Sequence, residues 1–226
     1  MQPLRVTAEL AEHRLSAINL DLPLDGPLAW AWVREKDPED VYLNEYGTPD
    51  WVKVDLSDTL QVVKTHKEWF YACSWAIFKP LRKRINYRHR RFDLSYAERY
   101  ADIGKKGKII TAGGTFKTRR IPLVVMTTEQ IVWFCVGSQK RIEELLAAVE
   151  YIGSARAAGY GRVKEWRVEP WPEDWSVYGP DGCLMRAVPS EDGDMISSIR
   201  PPYWAPPKMR CRTPDFEQFP WNGVLL

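Results

Sequence analysis

Three glycines within nine residues constrain the fold of this 226-residue chain more than any other feature. They lie in the stretch 153–161, which we call the glycine loop. An apolar stripe at i, i+3, i+4 and i+7 spacing precedes the loop and predicts an amphipathic helix that Ser138 caps and Gly153 ends. The stripe consists of Ile142, Leu145, Leu146 and Val149. Residues 160–169 alternate and predict a strand, so the loop joins a helix to a strand.

The glycine loop has the composition of an anion-binding turn. Glycines allow positive φ, and consecutive N–H groups in such a turn can hold a phosphate. Arg156 and Arg162 add positive charge, and Tyr160 offers a stacking face. The loop is not a Walker A motif, because five residues separate its first two glycines and Tyr160 follows the second. It is not a dinucleotide fingerprint either, because position 164 is Lys and both motifs run from strand to helix. A helix cap followed by a tight turn remains an alternative.

The remaining patterns predict an α+β chain. A helix is expected from Asp25 to about Glu35, because Asp25-Gly26-Pro27 is a typical helix start. Strands are expected over 4–10, 68–78, 115–126 and 130–137. The order β-α-insertion-β-β-α-β is that of a ferredoxin-like fold. The pattern leaves open whether 68–78 or 115–126 is the second core strand.

Residues 79–120 form a strongly basic segment, which carries 14 Lys/Arg against three acids. The segment has a net charge of +11, whereas the rest of the chain has −9. Four glycines predict a long loop or thumb inserted at about 79–114. If the segment is helical, Arg84, Arg88 and Arg91 share one face. The charge asymmetry indicates a polyanion-binding surface.

The candidates for nucleic-acid contact come from the basic segment and the glycine loop. In the segment they are Lys79, Arg82, Lys83, Arg84, Tyr87, Arg88, His89, Arg90, Arg91, Lys105, Lys106, Lys108, Lys117, Arg119 and Arg120. In the loop they are Gly153, Arg156, Gly159, Tyr160, Gly161 and Arg162.

The C-terminal part, residues 170–226, differs in composition from the predicted core domain, residues 1–169. It holds ten of the 17 prolines and four of the 11 tryptophans, so we expect an irregular extension. Its tryptophans are expected to anchor it on the body or on a partner. They are Trp171, Trp175, Trp204 and Trp221.

Several other classes of protein are disfavoured. The four cysteines form no CxxC, so we expect no zinc site, and Cys73 and Cys135 are predicted to be reduced core residues. Asp21 and Asp25 are interpreted as turn and cap residues rather than as part of a metal site. No cofactor is predicted. The absence of a long apolar run and of a secretory signal favours a cytoplasmic protein without a membrane span.

Two motifs resemble those of the RAMP superfamily of CRISPR proteins. Residues 22–30 (LPLDGPLAW) are similar to the family's start of the first helix, and 153–163 are similar to its GxxxxxGxGxV loop. The chain departs from the family at Pro27 and Trp30, where an aliphatic pair is usual. The resemblance implies a ferredoxin-like, RRM-type fold and contact between the glycine loop and CRISPR RNA.

The basic insertion and the Trp/Pro-rich tail make the chain look like one RAMP subunit in particular. This is the subunit of type IV CRISPR effector complexes that caps the 5′ handle of the guide RNA. The resemblance implies the backbone subunit and the large and small subunits as protein partners, with target DNA as a further candidate. It also implies a subunit without catalytic residues.

Two alternatives remain open at this point. Some RAMPs cut precursor CRISPR RNA, and His13, His66 and His89 are the candidates for acid–base chemistry in such an endoribonuclease. The sequence pairs none of them with a second histidine. The other alternative is a protein-interaction module whose basic thumb binds an acidic protein.

Overall fold

A computed structural model describes most of the chain. The described residues are 1–17, 21–36, 54–66, 68–91, 117–203 and 208–215. Within them the fold is α+β, with mostly antiparallel sheets and two α-helices, and it is consistent with a ferredoxin-like fold. No helix in these ranges is long and apolar enough to cross a membrane.

The helices and strands have the following bounds. The helices are α1 (Asp25–Lys36) and α2 (Gln139–Leu146). The longer strands are β1 (Gln2–Leu10), β5 (Arg82–Arg90), β6 (Arg119–Thr127), β7 (Gln130–Gly137) and β8 (Val163–Pro170). The shorter strands are β2 (Arg14–Ser16), β3 (Val62–Lys64), β4 (Trp69–Tyr71), β9 (Val188–Pro189), β10 (Met195–Ser197) and β11 (Met209–Arg212).

The central sheet has the strand order β7-β1-β8, and both neighbours are antiparallel to β1. The strand predicted over 4–10 is confirmed, and its apolar residues Leu4, Val6 and Ala8 are buried. The helix predicted from Asp25 is also confirmed. Both helices share one hydrophobic core with this face of the sheet, because the apolar residues of α1, α2 and β1 belong to the same buried cluster.

Residues 72–77 lie beside β7 and resolve the choice between the two predicted core strands. Ile77 and Val132 exchange backbone hydrogen bonds of 2.8 and 2.9 Å, whereas β6 pairs with β2 and β5 in another sheet. The continuous strand predicted over 68–78 is wrong, since only Trp69–Tyr71 forms a regular strand, paired with β3. The ladder is interrupted because the N–H groups of Trp75 and Ala76 bond to Met185 and Leu22 instead of β7.

The basic segment forms a two-stranded ribbon in its described part. β5 pairs antiparallel with β6 from Arg82 opposite Thr127 to Arg90 opposite Arg119, so the helical alternative for this segment is wrong. The predicted loop is also wrong for these residues. β5 forms a strand because it pairs with β6, whose apolar residues favour a strand. The charged sequence of β5 gives no such signal. Residues 92–116, which include Lys105, Lys106 and Lys108, lie outside the described residues.

The C-terminal part is more regular than its composition predicts. β9, β10 and β11 form a three-stranded sheet in the order β10-β11-β9, which corrects the expectation of an irregular tail. Trp171 and Trp175 pack on Phe134 of β7, with ring centroids 5.3 and 4.9 Å apart. β7 is therefore covered on both faces, which explains its nearly continuous apolar sequence. Trp204 and Trp221 lie outside the described residues.

Candidate nucleic-acid interface

The glycine loop combines one short 3-10 turn with several positive φ angles. Gly153, Gly159 and Gly161 have φ of +77°, +79° and +71°, and Ala155 also has a positive φ of +55°. α2 ends at Leu146, so the prediction that Gly153 ends this helix is wrong. Two tight turns over 145–149 end the helix instead, and β8 starts three residues later than predicted. The connection between α2 and β8, residues 147–162, is therefore longer than the glycine loop itself.

The two ends of the glycine loop are fixed by backbone hydrogen bonds. Ser154 donates its N–H to the carbonyl of Ser16 at 2.7 Å, and Gly161 donates to the carbonyl of Arg14 at 2.8 Å. Ile152 donates to the carbonyl of Gly161 at 2.9 Å, which closes the loop on itself. Between these anchors, residues 156–159 are exposed. The loop thus presents its central turn to solvent from a rigid base.

We expect Gly161→Ala to destabilise the fold by about 2 kcal/mol more than Gly159→Ala. Both positions carry the cost of about 1–2 kcal/mol for a side chain in the left-handed region. At Gly161 an added Cβ would also lie 1.9 Å from the carbonyl oxygen of Ile152, whereas at Gly159 it meets nothing within 4 Å. Urea denaturation of the two variants measures the difference. Equal losses of unfolding free energy in the two variants would show that the backbone at Ile152 moves to accommodate the added methyl group.

The ribbon formed by β5 and β6 contacts the glycine loop through one side-chain hydrogen bond. Asn86 donates its Nδ2 to the hydroxyl of Tyr160 at 3.2 Å. Side chains alternate along a strand, so the face of β5 that carries Asn86 also carries four arginines. They are Arg82, Arg84, Arg88 and Arg90. This arginine-rich face is therefore the one that meets the loop, and Arg88 lines a groove there with Ala157, Ala158 and Tyr160.

The ribbon concentrates positive charge with no acid in either described strand. Arg90 lies directly opposite Arg119, and His89 lies opposite Arg120. Like charges directly opposite each other, as at Arg90 and Arg119, are destabilising. A bound polyanion would relieve this repulsion. Arg120 lies over the ring of Tyr87, 3.6 Å from its centroid, in a cation–π contact.

A cavity of about 320 Å³ lies between the start of α1 and the glycine loop. Leu22, Pro27 and Trp30 line it from one motif, and Gly153 and Arg156 line it from the other. The two stretches that resemble RAMP motifs are more than 100 residues apart, and the tertiary structure brings them to one site. Sequence reasoning missed the remaining aromatic walls of the cavity. They are Trp133, Tyr151 and Tyr203.

The comparison with protein families identifies the chain. A family model described as CRISPR type IV associated protein Csf3 matches residues 2–213. The chain belongs to the Csf3 family. A search of curated proteins found no match. The recognition of a type IV CRISPR protein, which rested on the basic insertion and the Trp/Pro-rich tail beside the two motifs, is therefore confirmed, and the match spans nearly the whole chain.

The other predicted site residues of this Csf3-family chain occupy different settings. Arg156 is exposed at the cavity, whereas Arg162 approaches Glu12 at 3.8 Å and is partly neutralised. The basic residues that flank the described parts of the ribbon are exposed. They are Lys79, Arg91 and Lys117. The structure brings the ribbon arginines, Tyr160 and Arg156 around the loop and places Arg162 beside β1 and β2.

Asp25 begins α1 in this Csf3-family chain, and its carboxyl has partners beyond the helix that the cap interpretation did not include. It is fully buried, accepts a 2.5 Å hydrogen bond from the hydroxyl of Tyr203, and lies 3.8 Å from the guanidinium of buried Arg186. Burial raises the pKa of the Asp25 carboxyl, and the positive charge of Arg186 acts in the opposite direction. The pair links the start of α1 to the C-terminal part. No sequence signal marks Arg186 as its partner.

The three histidines of this chain lie in separate parts of the structure. His13 is in an exposed turn with φ of +52°, His66 is exposed between β3 and β4, and His89 is exposed on the ribbon. Cys73 and Cys135 are free and buried, as predicted, and burial raises the pKa of both thiols. Among the described residues, no group of three or more His, Cys, Asp or Glu side chains is placed to hold a metal ion.

Proposed function

We propose that this member of the Csf3 family is a non-catalytic CRISPR RNA-binding subunit of a type IV effector complex. In this proposal it caps the 5′ handle of the guide RNA. The sheet β7-β1-β8 with its two helices is the ferredoxin-like RAMP core, and the ribbon of β5 and β6 is the base of the thumb. The chain contacts the backbone subunit of the complex in the cytoplasm.

The arginine-rich face of the ribbon, joined to the glycine loop, is the observation that supports this proposal. The hydrogen bond from Asn86 to Tyr160 holds the two elements together, and Arg88 lines a groove with Ala157 and Ala158 of the exposed turn. Arg84 lies on the same face of β5 as Arg88. Guanidinium groups can grip phosphates bidentately. The N–H groups of Ala158 and Gly159 already donate to the carbonyls of Ala155 and Arg156, so we assign the phosphate contacts to the arginine side chains. A single RNA strand therefore fits along the groove, with its phosphates between ribbon and loop.

The opposite side of the ribbon offers a surface for contact with another subunit. Leu81, Ile85 and Tyr87 are exposed on the side of the ribbon that faces away from Asn86, beside Lys83 and His89. We assign the contact with the backbone subunit to this side. We propose the large and small subunits of the complex and target DNA as further partners.

Binding and cleavage assays on one RNA test the proposal. The full-length protein is incubated with labelled repeat RNA from the CRISPR array of the same genome, without metal and at two salt concentrations. We expect a salt-sensitive shift on a native gel and intact RNA on a denaturing gel, because phosphate contacts release counterions on binding. The matched control is an unrelated RNA of the same length, which should bind more weakly.

The other outcomes separate the competing functions. A single discrete cut that His89→Ala abolishes would establish the processing endoribonuclease and contradict the non-catalytic role. Equal affinity for any acidic polymer, including polyglutamate, would favour a protein-interaction module with a basic thumb. No binding to repeat RNA at low salt would contradict RNA binding by this chain.

A further inference from the structure

The aromatic cavity beside the glycine loop has the size and chemistry of a nucleobase pocket. We propose that it takes one unstacked base of the bound RNA, an inference that rests on the RNA-binding function proposed above. The cavity measures about 320 Å³, at the small end of the range of about 300–1,000 Å³ for small-molecule sites. It therefore suits one flat ring system better than a folded peptide.

The walls of the cavity consist mainly of aromatic and aliphatic side chains. Trp30, Tyr151 and Tyr203 supply partly exposed aromatic rings from three separate parts of the chain, and the buried Trp133 completes the lining. The indole N–H of Trp133 donates to the carbonyl of Leu22 at 2.8 Å, and the hydroxyl of Tyr203 donates to Asp25, so both rings are held in place. Fixed aromatic faces bind unstacked RNA bases of any sequence by stacking.

Two charged residues, Arg156 and Asp21, line the cavity, and Arg156 is the one that can attract a nucleotide's phosphate. Arg156 lines both the cavity and an adjoining groove, together with Trp30 and Tyr151. The same groove is bounded by Ala157 and Gly159 of the exposed turn. A phosphate held at this turn would thus leave its base within reach of the aromatic walls. The adjacent cation distinguishes this site from a pocket for an apolar side chain of a partner protein.

The proposal also explains why the two RAMP-like motifs meet at this position. The stretch 22–30 provides Leu22, Pro23 and Trp30 on one wall, and the loop provides Gly153 and Arg156 on the other. On the opposite side of the exposed turn, Ala157 and Ala158 border the groove of Arg88. An RNA strand that follows the ribbon would therefore cross the turn and arrive at the cavity.

A fluorescent base analogue locates the pocket on the RNA. Repeat RNAs that carry 2-aminopurine at one position at a time are bound to the full-length protein, and matched RNAs carry an abasic site there. We expect the fluorescence at one position to change strongly on binding, and the abasic site at that position to weaken affinity about tenfold. Abasic sites at the other positions should weaken it less.

Variants of Tyr151 connect that position to the cavity. Tyr151→Leu keeps an apolar side chain and loses the ring, so it should weaken binding of intact RNA about tenfold but leave the affinity for the critical abasic RNA unchanged. Tyr151→Phe should behave like the wild type. Tyr178→Ala is the control, because Tyr178 is 55% exposed and does not line the cavity.

The possible failures of this experiment are distinguishable. If RNA binds but no position is coupled to Tyr151, the pocket is refuted and the proposed RNA-binding function stands. If Tyr151→Leu weakens the intact and the critical abasic RNA equally, its effect is structural and the pocket is likewise refuted. If the wild-type protein binds no repeat RNA, the proposed function fails and this inference fails with it.

Discussion

Replacing Arg84 and Arg88 together with alanine is expected to weaken repeat-RNA binding by about a hundredfold at physiological salt. Both arginines lie on the face of β5 that contacts the glycine loop, on either side of Asn86. A hydrogen bond to a charged group contributes about 1.5–3 kcal/mol, and each 1.4 kcal/mol is a factor of ten in the dissociation constant. Titrations monitored by fluorescence anisotropy measure the loss directly.

The salt dependence of the same variant tests whether the arginines contact phosphates. For single-stranded RNA, each phosphate contact contributes about 0.7 to the slope of log affinity against log salt. The double variant should therefore have a slope that is shallower by about 1.4 if each arginine makes one such contact. An unchanged slope with weaker binding would instead indicate that the ribbon has lost its structure.

Arg210 and Arg212 provide the matched control. They are exposed and two residues apart on β11, and the double alanine variant removes the same net charge from a different sheet. We expect this variant to change affinity by less than about threefold, because exposed charges beyond about 10 Å are screened at physiological salt. Equal losses in both double variants would contradict a specific interface on the ribbon.

Arg186→Ala is expected to lower the free energy of unfolding by about 3–5 kcal/mol, the range for breaking a buried ion pair from one side. Arg186 is 1% exposed and lies 3.8 Å from buried Asp25. Its guanidinium also donates to the carbonyls of Tyr71, Cys73 and Ile199. The substitution therefore leaves one buried carboxylate and three buried carbonyls without this partner. Urea or guanidinium denaturation followed by tryptophan fluorescence measures the loss.

Arg200→Ala is the control for this experiment. Arg200 pairs with Glu68 at 2.8 Å and also joins the C-terminal part to the body, but its side chain is 23% exposed. Partly exposed ion pairs contribute about 1 kcal/mol or less, so the variant should unfold near the wild type. Similar losses in the two variants would show that burial of Arg186 does not determine its contribution.

The central strands and helices could be predicted because their signals are local. The alternation over 4–10 and the stripe of Ile142, Leu145 and Leu146 follow from strand and helix periods, and all of these apolar residues are buried. The conformation of the basic segment could not be predicted in this way. Its strand β5 is almost entirely exposed, and its conformation is fixed by pairing with β6 rather than by its own sequence.

The amino-acid sequence by itself determined the chemistry of this protein. It specified the separation of a +11 segment from an acidic body, the three glycines of the loop and the two motifs that resemble the RAMP superfamily. These properties are local, so they can be recognised without knowledge of distant contacts.

Only the tertiary structure decided which residues meet. Asn86 and Tyr160 are 74 residues apart, and Asp25 and Tyr203 are 178 residues apart, yet each pair is joined by a hydrogen bond. The face that the ribbon turns to the glycine loop, the aromatic cavity and the buried partner of Asp25 all depend on such long-range packing. No periodicity or spacing encodes these contacts, because they depend on how complete strands and helices pack around the shared core.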